Sequence, residues 1–217
     1  NQVLPAIYAE ISCNQSLFLL FHKERTELRN QNLQLLFQTT DHDLQHSQEN
    51  TGFVDIHHRE KWGLLNSSGK WMIPCSYDMP VGMFHDNGLA RVEKNQKVGF
   101  INRSGKEIIP CKYQNAGTFS ENLMNVRLND LWGYINLSGN TIIPHQYDIG
   151  IHFIEGRARV AKRKGQDLWH FGFIDTNGKE IIPLQYTKAE DFRNGKAKVE
   201  QNGQWIWIDR AGNLVSK

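Results

Sequence analysis

Cysteine is scarce in this sequence, and the number of cysteines is odd. There are 3 in 217 residues, which excludes the dense disulfide framework that supports small secreted domains. A strong charge of one sign is also missing. The net charge of +2 gives no reason to expect nucleic-acid binding. No apolar run is long enough to span a bilayer, and we expect no membrane span.

The start of the chain has no charged-then-apolar signal. Because the chain opens on Asn1 rather than Met, we expect that a segment upstream was removed, and the compartment stays open between cytoplasm and cell envelope. Hydrophobic residues make up only 39% of the chain, and its mean hydropathy is −0.55. These values favour a thin, repeated core over one thick core, although 11% aromatic residues are typical of a folded protein.

What the sequence has in abundance is repetition. Four strings follow one pattern: KWGLLNSSGKWMIPCSY, KVGFINRSGKEIIPCKY, LWGYINLSGNTIIPHQY and HFGFIDTNGKEIIPLQY, which begin at residues 61, 97, 131 and 170. A shortened fifth copy, QWIWIDRAGN, begins at 204 with Ile206 in the place of the shared Gly. The shared glycines are 36, 34 and 39 residues apart. A period of this length is typical of solenoids, propellers and other arrays.

Each copy predicts three antiparallel strands. GYIN and TIIP are rich in β-forming residues, and the LSGN turn between them predicts a hairpin whose Gly139 has a positive φ. Gly133, beside Trp132, predicts a close approach of another backbone or ring. Pro144 ends the second strand because proline has no N–H for the ladder. After a polar loop, LMNVRL alternates as a half-buried third strand does.

The predicted fold is therefore all-β, a tandem array of about four to five three-stranded antiparallel repeats that is elongated or partly closed. A propeller is the second choice, because three strands are short for its four-stranded blade. We assign residues 51–217 to the array, with units that start near 61, 97, 131 and 170 and a partial unit at 204. Residues 1–50 are predicted to be a degenerate β cap or eroded repeats, with a helix through 17–37 as the alternative.

These strings resemble the bacterial WG-repeat family, also written KWG, over residues 61–213. The resemblance rests on WGLLNSSGKWMIP, VGFINRSGKEIIP, WGYINLSGNTIIP and FGFIDTNGKEIIP; Val98 departs from the pattern where a Trp or Phe is expected. It implies an all-β repeat module with no known reaction, in a family whose members are often surface-associated or part of larger bacterial proteins. It brings no catalytic residues.

The candidate metal ligands do not form a consistent set. Cys75, Cys111 and His145 all follow the repeat proline and would stack in a regular array, but the fourth copy has Leu184 there. A shared half-buried position explains Cys, His and Leu more simply than zinc does. We therefore predict no metal and no cofactor. No catalytic motif is present either, and we predict that the protein is not an enzyme.

Departures from the repeat are the better guide to function, because insertions in repeat proteins often lie on the binding face. The third unit alone gains five residues, in AKRKGQDLWHFG, and we predict a binding loop at 161–171. In the third strands, an outward position holds Arg91, Asn125, Arg159 and Lys198 in turn. The predicted partner-binding residues are Arg91, Arg159, Lys162, Arg163, Lys164, Trp169 and Lys198.

The functional hypothesis is a non-catalytic bacterial repeat module that binds another protein, acidic in character, as an adaptor or immunity-type scaffold. One alternative is a cell-envelope module that binds carbohydrate or an anionic polymer. Another is a metal-dependent hydrolase with a site among His42, His46, His57 and His58. The basic residues also have a simpler explanation, as solubilising charges that protect strand edges. The sequence does not indicate the oligomeric state.

Overall fold

The structure, a computed structural model, describes residues 10–14, 17–21, 25–40, 43–46, 53–165 and 168–216. All regular secondary structure in these ranges is β-strand or isolated bridge, which confirms the all-β class and the tandem arrangement. The described residues contain no helix with the length and hydropathy of a membrane-crossing segment. The chain forms two compact units, residues 1–111 and 112–217.

The first unit contains three sheets. Sheet 1 consists of β1 (Glu10–Asn14), β2 (Leu17–Phe21), β3 (Thr26–Asn30) and β4 (Leu35–Thr39). Sheet 2 consists of β5 (Asp43–His46), β6 (Val54–His58), β7 (Lys61–Leu65) and β8 (Trp71–Tyr77). Sheet 3 consists of β9 (Leu89–Lys94), β10 (Lys97–Asn102) and β11 (Glu107–Tyr113), the last of which ends just past the unit boundary. Within 17–37, the described residues form β2, β3, the turn after β3 and the start of β4, not the alternative helix.

The second unit also contains three sheets. Sheet 4 consists of β12 (Asn115–Ser120), β13 (Leu123–Leu128), β14 (Leu131–Asn136) and β15 (Thr141–Tyr147). Sheet 5 consists of β16 (Ile149–Gly150), β17 (Ala158–Lys164), β18 (Leu168–Ile174) and β19 (Glu180–Tyr186). Sheet 6 consists of β20 (Lys188–Ala189), β21 (Lys196–Gln201), β22 (Gln204–Asp209) and β23 (Leu214–Val215). The strand pairs of this unit are antiparallel.

The predicted three-stranded unit and the observed sheet do not coincide. The third repeat gives β14 and β15 to sheet 4, and β16 and β17 to sheet 5. Asn129 and Asp130, both with positive φ, form the two-residue turn that keeps β13 beside β14 of the next repeat. The fourth strand comes from the segment after the repeat tyrosine, where Ile149 and Gly150 pair with β17. A strand of two residues is too short to show the alternation of apolar and polar residues by which a sequence predicts a strand.

A capped turn shapes each hairpin between the first two repeat strands. In the third repeat, Asn136 Oδ1 accepts the backbone N–H groups of Ser138 and Asn140, each at 3.0 Å. Asp175 does the same in the next copy. The positive φ predicted for Gly139 is present, at 80°. The Asn or Asp of the repeat motif is therefore the hydrogen-bond acceptor that organises this turn.

The core lies between successive sheets within each unit. In the second unit, the repeat Tyr147 and Phe153 pack with Val160 between sheets 4 and 5. Their counterparts Tyr186 and Phe192 pack between sheets 5 and 6. The shared Tyr, Phe and Val positions of the repeats are thus core residues, and within each unit successive sheets bury their apolar side chains against one another.

The glycine of the repeat motif lies where a second backbone passes very close. A Cβ built on Gly133 would lie 2.7 Å from the Ile143 carbonyl oxygen and 2.8 Å from the His145 nitrogen. Strand β15 bulges at this point, because Trp132 pairs with Tyr147 and Tyr134 with Ile143. The equivalent distances to carbonyl oxygens are 2.5–2.7 Å at all four copies: Gly63, Gly99, Gly133 and Gly172. A side chain at this position would collide with backbone.

The fifth copy shows why Ile206 is accepted there. The pairing of β22 with β23 extends from Ile208↔Leu214 to Trp207↔Val215. Among the described residues, no bulged strand therefore crosses Ile206. Ile206 is tolerated because the close backbone contact that requires glycine in the other four copies is missing from the described part of this sheet.

We expect Gly133→Ala to lower the free energy of unfolding by about 1–3 kcal/mol, because the methyl group overpacks against rigid backbone. The measurement is the midpoint of urea unfolding. The control is Thr141→Ala, an exposed position on the neighbouring strand, which should change stability by less than about 0.5 kcal/mol. A Gly133→Ala protein as stable as the control would contradict the close approach.

A carboxylate also links successive turns in the second unit. The Glu155 carboxylate accepts the N–H groups of Asn194 and Gly195 at 2.7 and 2.8 Å and the Arg210 guanidinium at 2.7 Å. Arg210 and these backbone donors hold the pKa of Glu155 below its usual value. A lowered folded-state pKa stabilises the fold above the unfolded pKa of about 4.3, and this stabilisation is lost as the pH falls.

Glu155→Gln should therefore be less stable than the wild type at pH 7, and the difference should shrink at pH 3. Urea midpoints at the two pH values measure it. Glu180→Gln removes an exposed carboxylate and serves as the matched control. If Glu155→Gln loses the same amount of stability at both pH values, the charge of Glu155 does not stabilise the fold.

Candidate functional site

The five inserted residues of the third repeat lengthen a hairpin. Beyond the Val160↔Gly172 pair, β17 and β18 continue for four more pairs, to Lys164↔Leu168. In β13 and β14, two pairs follow the equivalent Val126↔Gly133 pair. The predicted loop is thus a longer hairpin, because the inserted residues extend the antiparallel pairing of β17 with β18. Gly165, with φ 75°, begins its turn.

Four of the predicted binding residues meet at the end of this hairpin. We call Lys162, Arg163, Lys164, Leu168 and Trp169 the hairpin tip. Arg163 Cζ lies 4.7 Å from the centre of the Trp169 ring, a cation–π contact. The three cationic residues are exposed, and 58% of Leu168 is exposed as well. The tip therefore combines positive charge with an apolar surface.

The base of the tip is held by backbone and side-chain contacts. The Arg163 N–H donates to Asp148 Oδ2 at 2.9 Å, and Lys162 Nζ lies 5.3 Å from the Tyr147 ring centre. Within the described ranges, the salt bridges include none from the side chains of Lys162, Arg163 or Lys164.

The third-strand positions of Arg91, Asn125, Arg159 and Lys198 do not all face outward, so the outward row predicted from the sequence is corrected. Asn125 is buried, at 6% exposure, and its Nδ2 donates to the Gly150 carbonyl at 2.8 Å. The Arg159 guanidinium donates to the Ala189 carbonyl and forms an ion pair with Asp191 at 2.9 Å. In sheets 4 and 5 this position faces the next sheet, so polar side chains there bind its first strand.

The remaining predicted residues, Arg91, Arg159 and Lys198, are not part of the hairpin tip. Arg91 is exposed on β9 of the first unit, with its guanidinium 3.7 Å from Glu93. Arg159 and Lys198 line a cleft of about 350 Å³ at sheet 6. We call it the sheet 6 cleft; its other lining residues are Glu190, Asp191, Arg193, Lys196 and Trp207.

Sequence reasoning missed most of this cleft. Trp207 occupies the position that Tyr134 and Phe173 fill in earlier copies, where both are buried at 0% and 1% exposure. Trp207 is only partly buried. The departure of the fifth copy at Ile206, directly before Trp207, was the available signal.

The cysteines and the histidine that follow the repeat proline have different surroundings. Cys75 packs in the core between sheets 1 and 2, and Cys111 packs between sheets 2 and 3. His145 stacks on Tyr113 with ring centres 6.1 Å apart, and burial lowers the pKa of His145. No group of three or more metal-ligating side chains occurs in the described part of the chain.

The histidines of the hydrolase hypothesis are only partly visible. His42 and the side chain of His46 lie outside the described residues. The His57 ring packs on Trp62 with centres 4.6 Å apart, and β6 carries both His57 and His58. This packing is a structural role for His57 in sheet 2.

Burial and the nearby Glu107 raise the pKa of Cys111 to about 11. Because the thiolate is the reactive form, alkylation of Cys111 by iodoacetamide at pH 8 should be about 100-fold slower in the folded protein than in urea. Peptide mass spectrometry resolves each cysteine. Rapid labelling of Cys111 in the folded protein would show an accessible, activated thiol instead.

Comparison with known proteins identifies the family of this chain. A family model described as a WG-containing repeat matches residues 62–97, 99–132, 132–165 and 171–205, more than half of the chain. No curated protein matches the sequence.

Solved structures are similar at low identity. Hsv2 from Kluyveromyces lactis has 12% identity and a TM-score of 0.41, over 97% of this chain and 77% of that one. Hsv2 from Kluyveromyces marxianus has 11% identity and a TM-score of 0.42, over 93% and 76%. PorZ, a surface component of the type-IX secretion system of Porphyromonas gingivalis, has 10% identity and a TM-score of 0.33, over 98% and 36%. These scores carry no functional argument.

Proposed function

The chain belongs to the family of WG-containing repeats, and from that premise we propose that it is a non-catalytic module that binds an acidic segment of another protein. The binding surface is the hairpin tip. The module presents this tip on sheet 5, whose other positions follow the shared repeat pattern.

The observation that carries the proposal is the contact of Arg163 with Trp169. Arg163 and Trp169 form the first of the two extra residue pairs that distinguish this hairpin from β13–β14. A guanidinium held over an aromatic ring keeps its edge N–H groups free for a carboxylate, which it binds in a bidentate manner. Tryptophan and arginine are also the residues most enriched at binding hot spots.

The partner should carry carboxylates and an apolar side chain. Lys162 and Lys164 flank Arg163 along β17, and strand alternation places both on the face opposite Arg163, together with Leu168, which pairs with Lys164. Leu168 offers the apolar contact. Such a surface suits a bacterial adaptor or an immunity-type scaffold that covers a site on its partner, because a rigid β surface binds with little loss of conformational entropy.

The second candidate function is binding of a carbohydrate or anionic polymer. It is favoured by the sheet 6 cleft, where Trp207 lies beside several cationic groups. The two candidates use different surfaces of the second unit.

The test of protein binding is a triple charge reversal, Lys162→Glu, Arg163→Glu and Lys164→Glu. Immobilised protein captures partners from an extract of the source cells, and mass spectrometry quantifies them. We expect at least about a tenfold loss of an acidic partner, because several charge-assisted contacts are reversed at once. Circular dichroism checks that the variant keeps its β structure.

The matched control reverses three exposed lysines at equivalent hairpin turns: Lys70→Glu, Lys106→Glu and Lys179→Glu. It has the same net charge as the tip variant, so bulk electrostatics alone would weaken capture equally in both. Retention by the control together with loss by the tip variant supports the proposal. Equal capture by both variants rejects the hairpin tip as the binding surface.

A further inference from the structure

The sheet 6 cleft has an excess of two positive charges. Four cationic residues and two carboxylates line its volume of about 350 Å³, which is within the range of small-molecule sites. They are Arg159, Arg193, Lys196, Lys198, Glu190 and Asp191. The excess favours an anionic ligand.

Some of these charges are already used within the protein. Arg159 and Asp191 form an ion pair at 2.9 Å, and Arg159 also donates to the Ala189 carbonyl. Lys196 Nζ donates to the Ser216 carbonyl at 3.0 Å. These contacts form fixed walls of the cleft, and they leave the other groups to meet a ligand.

Arg193, Lys198 and Glu190 are the groups that remain. Arg193 is exposed at the cleft, and Glu190 is exposed as well. Lys198 Nζ lies 4.9 Å from the ring centre of Trp205, and none of the three forms a salt bridge within the residues that the structure describes. Two cations and one hydrogen-bond acceptor therefore converge on the same space.

A flat apolar wall completes the cleft. Trp207 lies on β22 directly opposite Lys198 of β21, and its partly exposed indole lines the cleft. Aromatic side chains of this kind present an apolar ring face and a polar N–H together. A ligand with a ring-shaped apolar face can lie against the indole.

We propose that the sheet 6 cleft binds an acidic sugar, a uronate residue of a saccharide. Its carboxylate lies at Arg193 and Lys198, its hydroxyl groups donate to the Glu190 carboxylate, and its ring packs on Trp207. A ligand that carried only carboxylates would be repelled by Glu190, whereas a sugar uses that group as an acceptor. The site is separate from the hairpin tip and does not depend on the protein-binding function.

The experiment measures binding of trigalacturonate by isothermal titration calorimetry. Maltotriose is the neutral sugar of equal length, and hexaglutamate is the anion without a sugar ring. We expect trigalacturonate alone to bind, more weakly at 300 mM than at 50 mM salt because the charges are screened. Binding of maltotriose or hexaglutamate with equal affinity, or no binding of trigalacturonate, overturns the proposal.

Variants then locate the site. Arg193→Ala, at an exposed position, and Lys198→Ala should each weaken trigalacturonate binding about tenfold, the effect of one lost charge-assisted contact. Glu190→Gln should weaken it as well. The hairpin tip reversal should leave it unchanged, so failure of one proposal is distinguishable from failure of the other. Unchanged affinity in Arg193→Ala and Lys198→Ala would place the ligand elsewhere and overturn the assignment.

Discussion

The structure depends on the passage of one backbone across another at the glycine of each full repeat. At Gly172 the Ile182 carbonyl would lie 2.5 Å from an added Cβ. The bulge that brings the strand so close coincides with the repeat proline, which has no N–H to give to the ladder. The motif glycine and the motif proline therefore belong to the same contact: the glycine leaves room for the backbone of the bulged strand that carries the proline. This contact sets the local shape of the sheet.

The second constraint is the way repeats share sheets. The second, third and fourth repeats each give two strands to one sheet and two to the next, so sheets 4 and 5 are complete only when two repeats meet. Apolar side chains such as Tyr147 and Tyr186 then fill the space between successive sheets in the second unit. Residues at the shared positions are thus committed to packing, and we propose that recognition uses positions where a repeat deviates, such as the long β17–β18 hairpin.

Much of the architecture was predictable because it is local or periodic. The hairpins, the positive φ of Gly139 and the close approach at Gly133 follow from residues a few positions apart. Asn125 was misread because β alternation indicates which residues share a face but not what that face contacts. The short strand at Ile149 and Gly150 was missed for a related reason, since its pairing partner lies in β17 and the segment itself has no pattern.

The sequence by itself determined the repeat, the all-β class and the family, because each full copy has the same strand-forming and turn-forming residues at the same spacing. It also identified Lys162, Arg163, Lys164 and Trp169 as a deviation. Only the tertiary structure decided that this deviation is a lengthened hairpin and that Arg159 and Lys198 share a cleft with Trp207. The physical reason is that a cleft depends on which sheets stack and which side chains remain uncovered, and these are contacts between residues far apart in the chain.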